Sequence, residues 1–322
     1  MGEGEGRDDR RDEVVGPLSW STEQRNPRTM DLDQLDAGEL VARILAEDAR
    51  VAAAVQAVQE RIGEAVELAV RSLAAGGRVH YVGSGTSGRL GVLDAVELFP
   101  TYRVGDEMVV AHLAGGMPAM MRAAEGAEDD EQAGRELAGG MTPKDLVVGL
   151  AASGRTPYVR GAMAAARELG CATALVSANP QAPLAELADV AILVDTGPEV
   201  VTGSTRMKAA TAQKMVLNTF STATMVRMGK TYSNLMIDVV ATNAKLRRRM
   251  VTMLQQASGA DEQAAERALA EADGQIRPAL VALLSDASVD EAARVLAELP
   301  PDPSRREDPA GIRTAAERLR QR

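Results

Sequence analysis

Residues 78–89 read RVHYVGSGTSGR, and this stretch decides the fold. A short apolar run, residues 78–83, leads directly into a turn rich in glycine and serine, and a helical pattern follows. Because parallel strands need crossover connections, repeats of this arrangement predict a doubly wound, mainly five-stranded parallel sheet with helices on both faces. The four further apolar runs, separated by alanine-rich helical stretches, are residues 108–113, 146–150, 172–177 and 190–194.

The chain on either side of these runs is predicted to be mostly helical. Apolar residues at helical spacing predict two helices within residues 35–73, and residues 206–249 predict two more, broken near Gly229, with no strand. The expected organisation is a disordered tail at residues 1–20, an α/β domain at 21–250, a small helical domain at 251–299 and a C-terminal tail with a solvated basic helix at 300–322.

The composition of the 322-residue chain limits its chemistry. It has 36 Lys and Arg residues against 46 Asp and Glu residues, and the net charge of −10 argues against nonspecific nucleic-acid binding. The two histidines, His80 and His112, lie in apolar runs and leave little room for a zinc site or a Ser-His-Asp triad. The single cysteine, Cys171, indicates a reducing compartment, so a cytoplasmic protein is expected. No apolar run is long enough to span a membrane, and no membrane association is expected.

Three turns between a strand and a helix are rich in hydroxyl groups. In a parallel sheet all three emerge at the carboxyl edge, where hydroxyls, free N–H groups and helix dipoles can converge on one anion. These turns therefore predict a phosphate site, and their basic residues supply the local positive potential that an acidic protein needs. The candidate binding residues are Ser84, Gly85, Thr86, Ser87 and Arg89 in the first turn, Ser153, Arg155 and Thr156 in the second, and Ser204, Thr205, Arg206 and Lys208 in the third.

Two other interpretations of these turns remain open. Serine and threonine also cap helix N-termini, although three such turns at three strand ends favour a phosphate site over capping alone. Residues 83–88 also fit the G-x-G-x-x-G pattern of dinucleotide-binding proteins. The second strand, however, ends in HLAG at residues 112–115, without the acidic residue that would bind a ribose.

Several consecutive motifs resemble those of the N-acetylmuramic acid 6-phosphate etherase family, which has the sugar isomerase (SIS) fold. The resemblance covers roughly residues 20–290, and the motifs occur in the same order as in the family. They are TEQRNP at 22–27, GTSGRLGVLDA at 85–95, EGAEDD at 125–130, ASGRTPYV at 152–159, GPEVVTGSTRMKA at 197–209, the run at 211–230 and NLMIDVVATNAKL at 234–246.

The resemblance implies a lyase that removes D-lactate from N-acetylmuramate 6-phosphate without a metal or other cofactor. Ring opening makes C1 an aldehyde and acidifies the C2 proton, so two glutamates titrating near neutrality suffice for the elimination. The family's catalytic glutamates correspond to Glu97, the proton donor, and to its partner Glu128. Glu23 and Glu199 lie in matching motifs and are expected to orient the substrate.

The two residues that follow Glu97 differ from those of the family. The chain has Leu98-Phe99 where the family has Cys-Pro, and these apolar neighbours are expected to raise the carboxyl pKa. An unbroken helix from Ser87 to Glu97 would carry the carboxylate about 15 Å from the phosphate turn. Either that helix ends near Gly91, or the sugar runs away from the turn, or Glu97 serves a neighbouring subunit. A homodimer with sites at or near the interface is expected.

Two further functions remain possible for the same fold. A non-catalytic sugar-phosphate sensor, like the glucokinase regulatory protein, would share several of the motifs, but the presence of both Glu97 and Glu128 favours an enzyme. An aldose–ketose isomerase would also use a carboxylate base on an opened sugar phosphate. The products distinguish the three: lactate, a ketose, or tight binding without turnover.

Overall fold

The structure is a computed structural model that describes residues 20–239 and 243–321. The strands are β1 (Val79–Gly83), β2 (Val109–Leu113), β3 (Leu146–Leu150), β4 (Ala172–Ser177), β5 (Val190–Leu193), β6 (Thr231–Tyr232) and β7 (Leu235–Met236). The helices are α1 (Ala37–Asp48), α2 (Val51–Gln56), α3 (Gln59–Ala74), α4 (Gly85–Tyr102), α5 (Glu131–Glu136), α6 (Pro157–Glu168), α7 (Lys208–Arg227), α8 (Ala244–Ser258), α9 (Glu262–Glu271), α10 (Ile276–Ser285), α11 (Val289–Ala297) and α12 (Ile312–Arg320).

The first five strands form one parallel sheet in the order β2-β1-β3-β4-β5. The predicted five-stranded parallel sheet is confirmed, with strand ends that agree with the sequence to within one residue. Every residue of β1 and β3 is buried, as expected for central strands covered on both faces.

Side chains alternate between two apolar cores, one on each face of the sheet. Val79 and Tyr81 of β1 pack with α3, α4 and α7, whereas Val82 points to the opposite core, which includes residues of α6. The strand order reverses between β1 and β3. The turns after these two strands are therefore adjacent at the carboxyl edge, where ligands bind in open α/β sheets.

The N-terminal part differs in detail from the prediction. Residues 37–74 form three helices rather than two, because the chain breaks after Asp48 and again after Gln56. The tail predicted at residues 1–20 lies outside the described residues except for Trp20. Among the described residues, no helix is long and apolar enough to cross a membrane.

The C-terminal helices share an apolar core of their own, which extends from Ile237 to Leu319. The domain boundary predicted after residue 250 falls inside α8, so this core begins earlier than expected. The short hairpin of β6 and β7 lies where only helices were predicted, and it turns at Ser233, whose φ is 52°.

The helix predicted to be solvated at the end of the chain is instead packed into this core. In α12, Ile312, Ala315 and Leu319 are buried, and their spacing places them on one helix face. The basic residues of this segment lie at other positions of the helix. Because they dominate its composition, the sequence analysis did not recognise the apolar face. Residues 300–321 therefore do not form a free tail.

Candidate functional site

The turn after β1 is shaped by close packing of glycines. Gly85, the first residue of α4, has a φ of +50°, which favours glycine. A Cβ atom on Gly88 would lie 2.5 Å from the carbonyl oxygen of Gly83, so this position has no room for a side chain. Helix α4 therefore begins tightly against the end of β1, and its first N–H groups lie at the carboxyl edge of the sheet.

The hydroxyls that precede two of the helices are not used for capping. Ser84 is the N-cap residue of α4 and Thr156 that of α6, yet neither side chain makes a capping hydrogen bond. Capping alone therefore does not account for these residues. The hydroxyl of Thr156 and the N–H groups at the starts of both helices are available to an anion.

Glu128 lies next to the first turn. The hydroxyl of Ser84 donates a hydrogen bond to Oε2 of Glu128 at 3.4 Å, although the two residues are 44 positions apart. The N–H of Tyr158 in α6 donates to the carbonyl oxygen of Glu128 at 3.0 Å. The backbone of Glu128 is thus held at the start of α6, and its carboxylate contacts the turn after β1.

The second turn is fixed from the neighbouring strand. Asn179, which follows β4, donates from its side-chain amide to the carbonyl oxygen of Ser153 at 2.9 Å. Gly154 has a φ of +69°, and a Cβ there would lie 2.2 Å from Cβ of Ala182. The sequence analysis missed Asn179, although its place after a strand matches that of the other turns.

The third turn is held by an N-terminal strap, residues 20–29. Asn26 donates to the carbonyl oxygen of Pro198 at 3.1 Å, and the hydroxyl of Thr29 donates to that of Val200 at 2.9 Å. The half-exposed Ser204 and Thr205 follow in the same turn. The TEQRNP motif therefore shapes the site from outside the sheet.

Two predicted binding residues of this turn have structural roles instead. Lys208 is fully buried, and its Nζ lies 2.8 Å from Oε2 of Glu47. Glu199 is also fully buried, and its carboxylate accepts the N–H groups of Lys208 and Ala209, each at 2.9 Å. Burial raises the pKa of Glu199. Its carboxylate fixes the start of α7 and is not open to a substrate.

The three arginines predicted to bind the phosphate have different surroundings. Nε of Arg89 donates to the carbonyl oxygens of Ala119 and Met120, so Arg89 anchors that segment rather than facing the turn. Arg206 is exposed. The guanidinium carbon of Arg155 lies 3.2 Å from the ring centroid of Trp20.

Two further residues predicted to bind phosphate lie at the start of α4. Thr86 and Ser87 lie half-buried in the first turn of α4. The carbonyl oxygen of Ser87 accepts the side-chain amide of Gln213 at 2.9 Å, which ties this turn to α7. Within the described residues, no group of three or more His, Cys, Asp or Glu side chains is arranged to hold a metal ion.

Glu97 lies well along α4 from the turn that Glu128 contacts. Helix α4 runs unbroken for 18 residues, so the alternative in which it ends near Gly91 is wrong. Glu97 is therefore about 15 Å along the helix from Ser87. Its side chain is exposed together with Val96 and Phe99, so the burial expected from its neighbours is absent within one chain.

Helix α4 and the segment after β2 form an apolar surface around Glu97, the Glu97 face. A cavity of about 600 Å³ there is lined by Glu97, Val96, Phe99 and Met117 among others. The exposed apolar side chains of this face are Leu93 (47% exposed), Val96 (63%), Phe99 (58%), Met117 (71%) and Met121 (89%). Val96, Phe99 and Met117 line the same cavity, and an exposed apolar group of this kind is typical of a protein–protein contact.

Two protein-family models match the chain. The model of the glucokinase regulatory protein N-terminal SIS domain matches residues 61–167, and the SIS domain model matches residues 122–223. Among solved structures, a phosphoheptose isomerase from Francisella tularensis is 15% identical, with a TM-score of 0.46 over 59% of this chain and 98% of that one.

Curated relatives match over a much longer range and at higher identity. The N-acetylmuramic acid 6-phosphate etherase of Thermobifida fusca is 55% identical over 82% of this chain and 87% of that protein. The protein of the same name from Mycolicibacterium smegmatis is 54% identical over 85% of this chain and 92% of its own length. The chain belongs to the N-acetylmuramic acid 6-phosphate etherase family, whose fold is that of the SIS domain.

Proposed function

We propose that the chain cleaves the D-lactyl ether of N-acetylmuramate 6-phosphate and releases N-acetylglucosamine 6-phosphate and D-lactate. The contact between Ser84 and Glu128 carries this proposal, because it places a carboxylate beside the turn that would bind the phosphate. An anion site and an acid–base group then lie at one edge of the sheet. Membership of the etherase family supports the same reaction.

The phosphate would be held mainly by neutral donors. The hydroxyl of Thr156 makes no capping bond, and the N–H groups of α4 and α6 point toward the same edge. Ser153, Ser204 and Thr205 add hydroxyls from the neighbouring turns. Lys208 pairs with Glu47, and Arg89 bonds to backbone carbonyl groups. Arg155 is therefore the basic residue that we propose to bind the phosphate at the second turn.

The elimination needs one base and one acid. After the sugar ring opens, a base removes the proton on C2, which the C1 aldehyde acidifies. The electron pair forms a C2–C3 double bond as the C3–O bond breaks, and an acid protonates the departing ether oxygen of lactate. Water then adds across the double bond, giving a hydroxyl at C3 and restoring the proton on C2. Carboxyl groups can perform each proton transfer when they are shielded from water.

We assign the two acid–base roles to Glu128 and Glu97, with Glu97 as the proton donor. A hexose is shorter than the distance of about 15 Å that separates Glu97 from the turn of its own chain. Of the two alternatives that remain, a sugar that runs away from the turn and a site in the neighbouring subunit, we propose that Glu97 acts in the site of a partner subunit. The exposed Val96 and Phe99 on either side of it become buried when two copies meet, which also shields the carboxyl group from water.

The expected assembly is a homodimer joined through the Glu97 face. Replacing Phe99 by Asp places a charge within this apolar surface and should give a monomer with little activity. Light scattering after size-exclusion chromatography measures the oligomeric state. Leu169→Asp, which changes an exposed leucine outside the Glu97 face, is the control. Full activity of a monomer at nanomolar concentration would contradict the dimeric site. The cytoplasmic location expected from the sequence stays a prediction.

The proposed reaction is tested by incubating the chain with N-acetylmuramate 6-phosphate and measuring D-lactate. Glu97→Gln and Glu128→Gln should each lose lactate release while still binding N-acetylglucosamine 6-phosphate. Glu125→Gln, at an exposed glutamate in the same loop as Glu128, should stay active. A ketose product would instead indicate an isomerase, and tight binding without any product would indicate a sensor.

A further inference from the structure

Arg155 has a buried donor that lacks an acceptor. Its Nε makes no hydrogen bond within residues 20–239 and 243–321, although the atom is shielded from water. Leaving a buried polar group unpaired is costly, more so when it carries charge. The residue lies in the turn after β3, between Ser153 and Thr156. Because Nε is covered, an anionic group bound at this turn would be met by the Nη groups of the same guanidinium, and its charge would offset the cost of the unpaired Nε.

The face of the Arg155 guanidinium is covered by Trp20, the only tryptophan of the chain. Stacking on an indole uses the flat faces of the guanidinium and leaves its N–H donors free at the edge. The planar group can then present two donors side by side to phosphate oxygens. Trp20 thus fixes the plane in which Arg155 can bind an anion.

Trp20 is itself held by the N-terminal strap. Its carbonyl oxygen accepts the N–H groups of Glu23 at 2.9 Å and Gln24 at 3.1 Å. Asn26 and Thr29 then tie the strap to the third turn through Pro198 and Val200. The strap therefore joins two of the turns. The Trp20 ring packs on Arg155 of the second turn, and Asn26 and Thr29 donate hydrogen bonds to the third.

We infer that Trp20 is a positioning residue that holds Arg155 for the phosphate monoester of the substrate. The inference rests on the proposed phosphate site. Asn26 and Thr29 anchor the strap independently, so loss of the ring should leave the fold in place. Without the ring, the Arg155 side chain should sample several conformations. Binding of the sugar phosphate must then order that side chain, which lowers the affinity.

Trp20→Ala should raise KM for lactate release by about two- to thirty-fold, the range of a cation–π contact, with little change in kcat. Trp20→Phe keeps a flat ring and should restore most of the affinity. Thermal unfolding of both variants checks that the chain remains folded. Unchanged KM in Trp20→Ala, or loss of kcat alone, would overturn the inference.

A double-mutant cycle separates positioning from a general structural effect. If Trp20 acts through Arg155, Trp20→Ala should have almost no further effect on KM in the Arg155→Gln background. Additive effects of the two substitutions would contradict the inference. Isothermal titration with N-acetylglucosamine 6-phosphate repeats the cycle without turnover. Failure of the chain to release lactate would therefore refute the proposed reaction without deciding the role of Trp20.

The fluorescence of the single tryptophan identifies which anion Arg155 binds. N-acetylglucosamine 6-phosphate and inorganic phosphate should each change the emission of Trp20. N-acetylglucosamine and D-lactate should not. A response to D-lactate but not to phosphate would assign Arg155 to the lactyl carboxylate, and no response to saturating sugar phosphate would place the stack outside the site. Either result would overturn the inference.

Discussion

Lys208 and Glu47 form a buried ion pair across 161 positions of sequence, with Nζ 2.8 Å from Oε2. Glu47 also accepts the side-chain amide of Asn26 at 2.9 Å and Nη2 of Arg28 at 2.8 Å. These donors, Arg28 first among them, hold the pKa of Glu47 well below its usual range. The pair joins α1 to the start of α7 and lies beneath the third turn.

Glu47→Ala should therefore lower the free energy of unfolding by about 3–5 kcal/mol, because it leaves the Lys208 ammonium buried without a counter-charge. Glu64→Ala is the matched control, since it removes an ion pair with Arg61 whose side chains are both about half exposed. That pair should contribute less than about 1 kcal/mol. Urea denaturation measures both variants, and equal losses would contradict a structural role for Lys208.

His112 should make the protein less stable as the pH falls below about 6.5. Its Nε2 lies 2.9 Å from Nδ1 of His80, and burial followed by the nearby His80 lowers the pKa of His112 to about 4. Asp145 faces the far side of His80, with Oδ2 3.4 Å from Nε2. Between these two pH values the unfolded chain binds a proton at His112 that the folded chain does not, so acidification favours unfolding.

His112→Gln removes this proton site while keeping an amide beside His80. The free energy of unfolding should then depend less steeply on pH between about 6.5 and 5, above the range in which paired carboxylates such as Glu47 titrate. Some dependence remains, because burial also lowers the pKa of His80. Identical slopes for the variant and the unchanged protein would show that His112 is not the group responsible.

Thr156→Val should weaken substrate binding with little change in stability. The hydroxyl makes no capping bond, so its removal leaves α6 unchanged, but a hydrogen bond to a charged phosphate is lost. KM should rise by about ten-fold or more. Thr219→Val, on the exposed side of α7, is the control. A destabilised Thr156→Val with unchanged KM would favour the capping interpretation instead.

The parallel sheet was predictable because its strands are short apolar runs buried on both faces. The same signal indicated the carboxyl edge, and with it the turns that contain Ser84, Ser153 and Thr156. Helix α12 was missed because its basic residues dominate the composition, although Ile312, Ala315 and Leu319 have core spacing. The boundary after residue 250 failed for a related reason, since no composition change marks the start of the second core.

The sequence motif alone could not show whether the side chains of Lys208 and Glu199 face a ligand or the protein interior. Both residues lie beside hydroxyl-rich positions, but side-chain direction depends on partners that are distant in sequence. Glu47 takes the Lys208 ammonium, and the backbone of α7 takes the Glu199 carboxylate. Asn179 carried a usable signal, a polar side chain two residues after a buried strand, whereas the stack of Trp20 on Arg155 had none.

Complementation between two inactive variants tests the shared site most directly. Chains carrying Glu97→Gln and Glu128→Gln are co-expressed with different affinity tags, and the heterodimer is purified through both tags. If Glu97 acts in the partner's site, one of the two sites regains both glutamates, and lactate release should return to about half of that of the unchanged dimer. A heterodimer no more active than either inactive homodimer would contradict a site built from Glu128 of one subunit and Glu97 of the other.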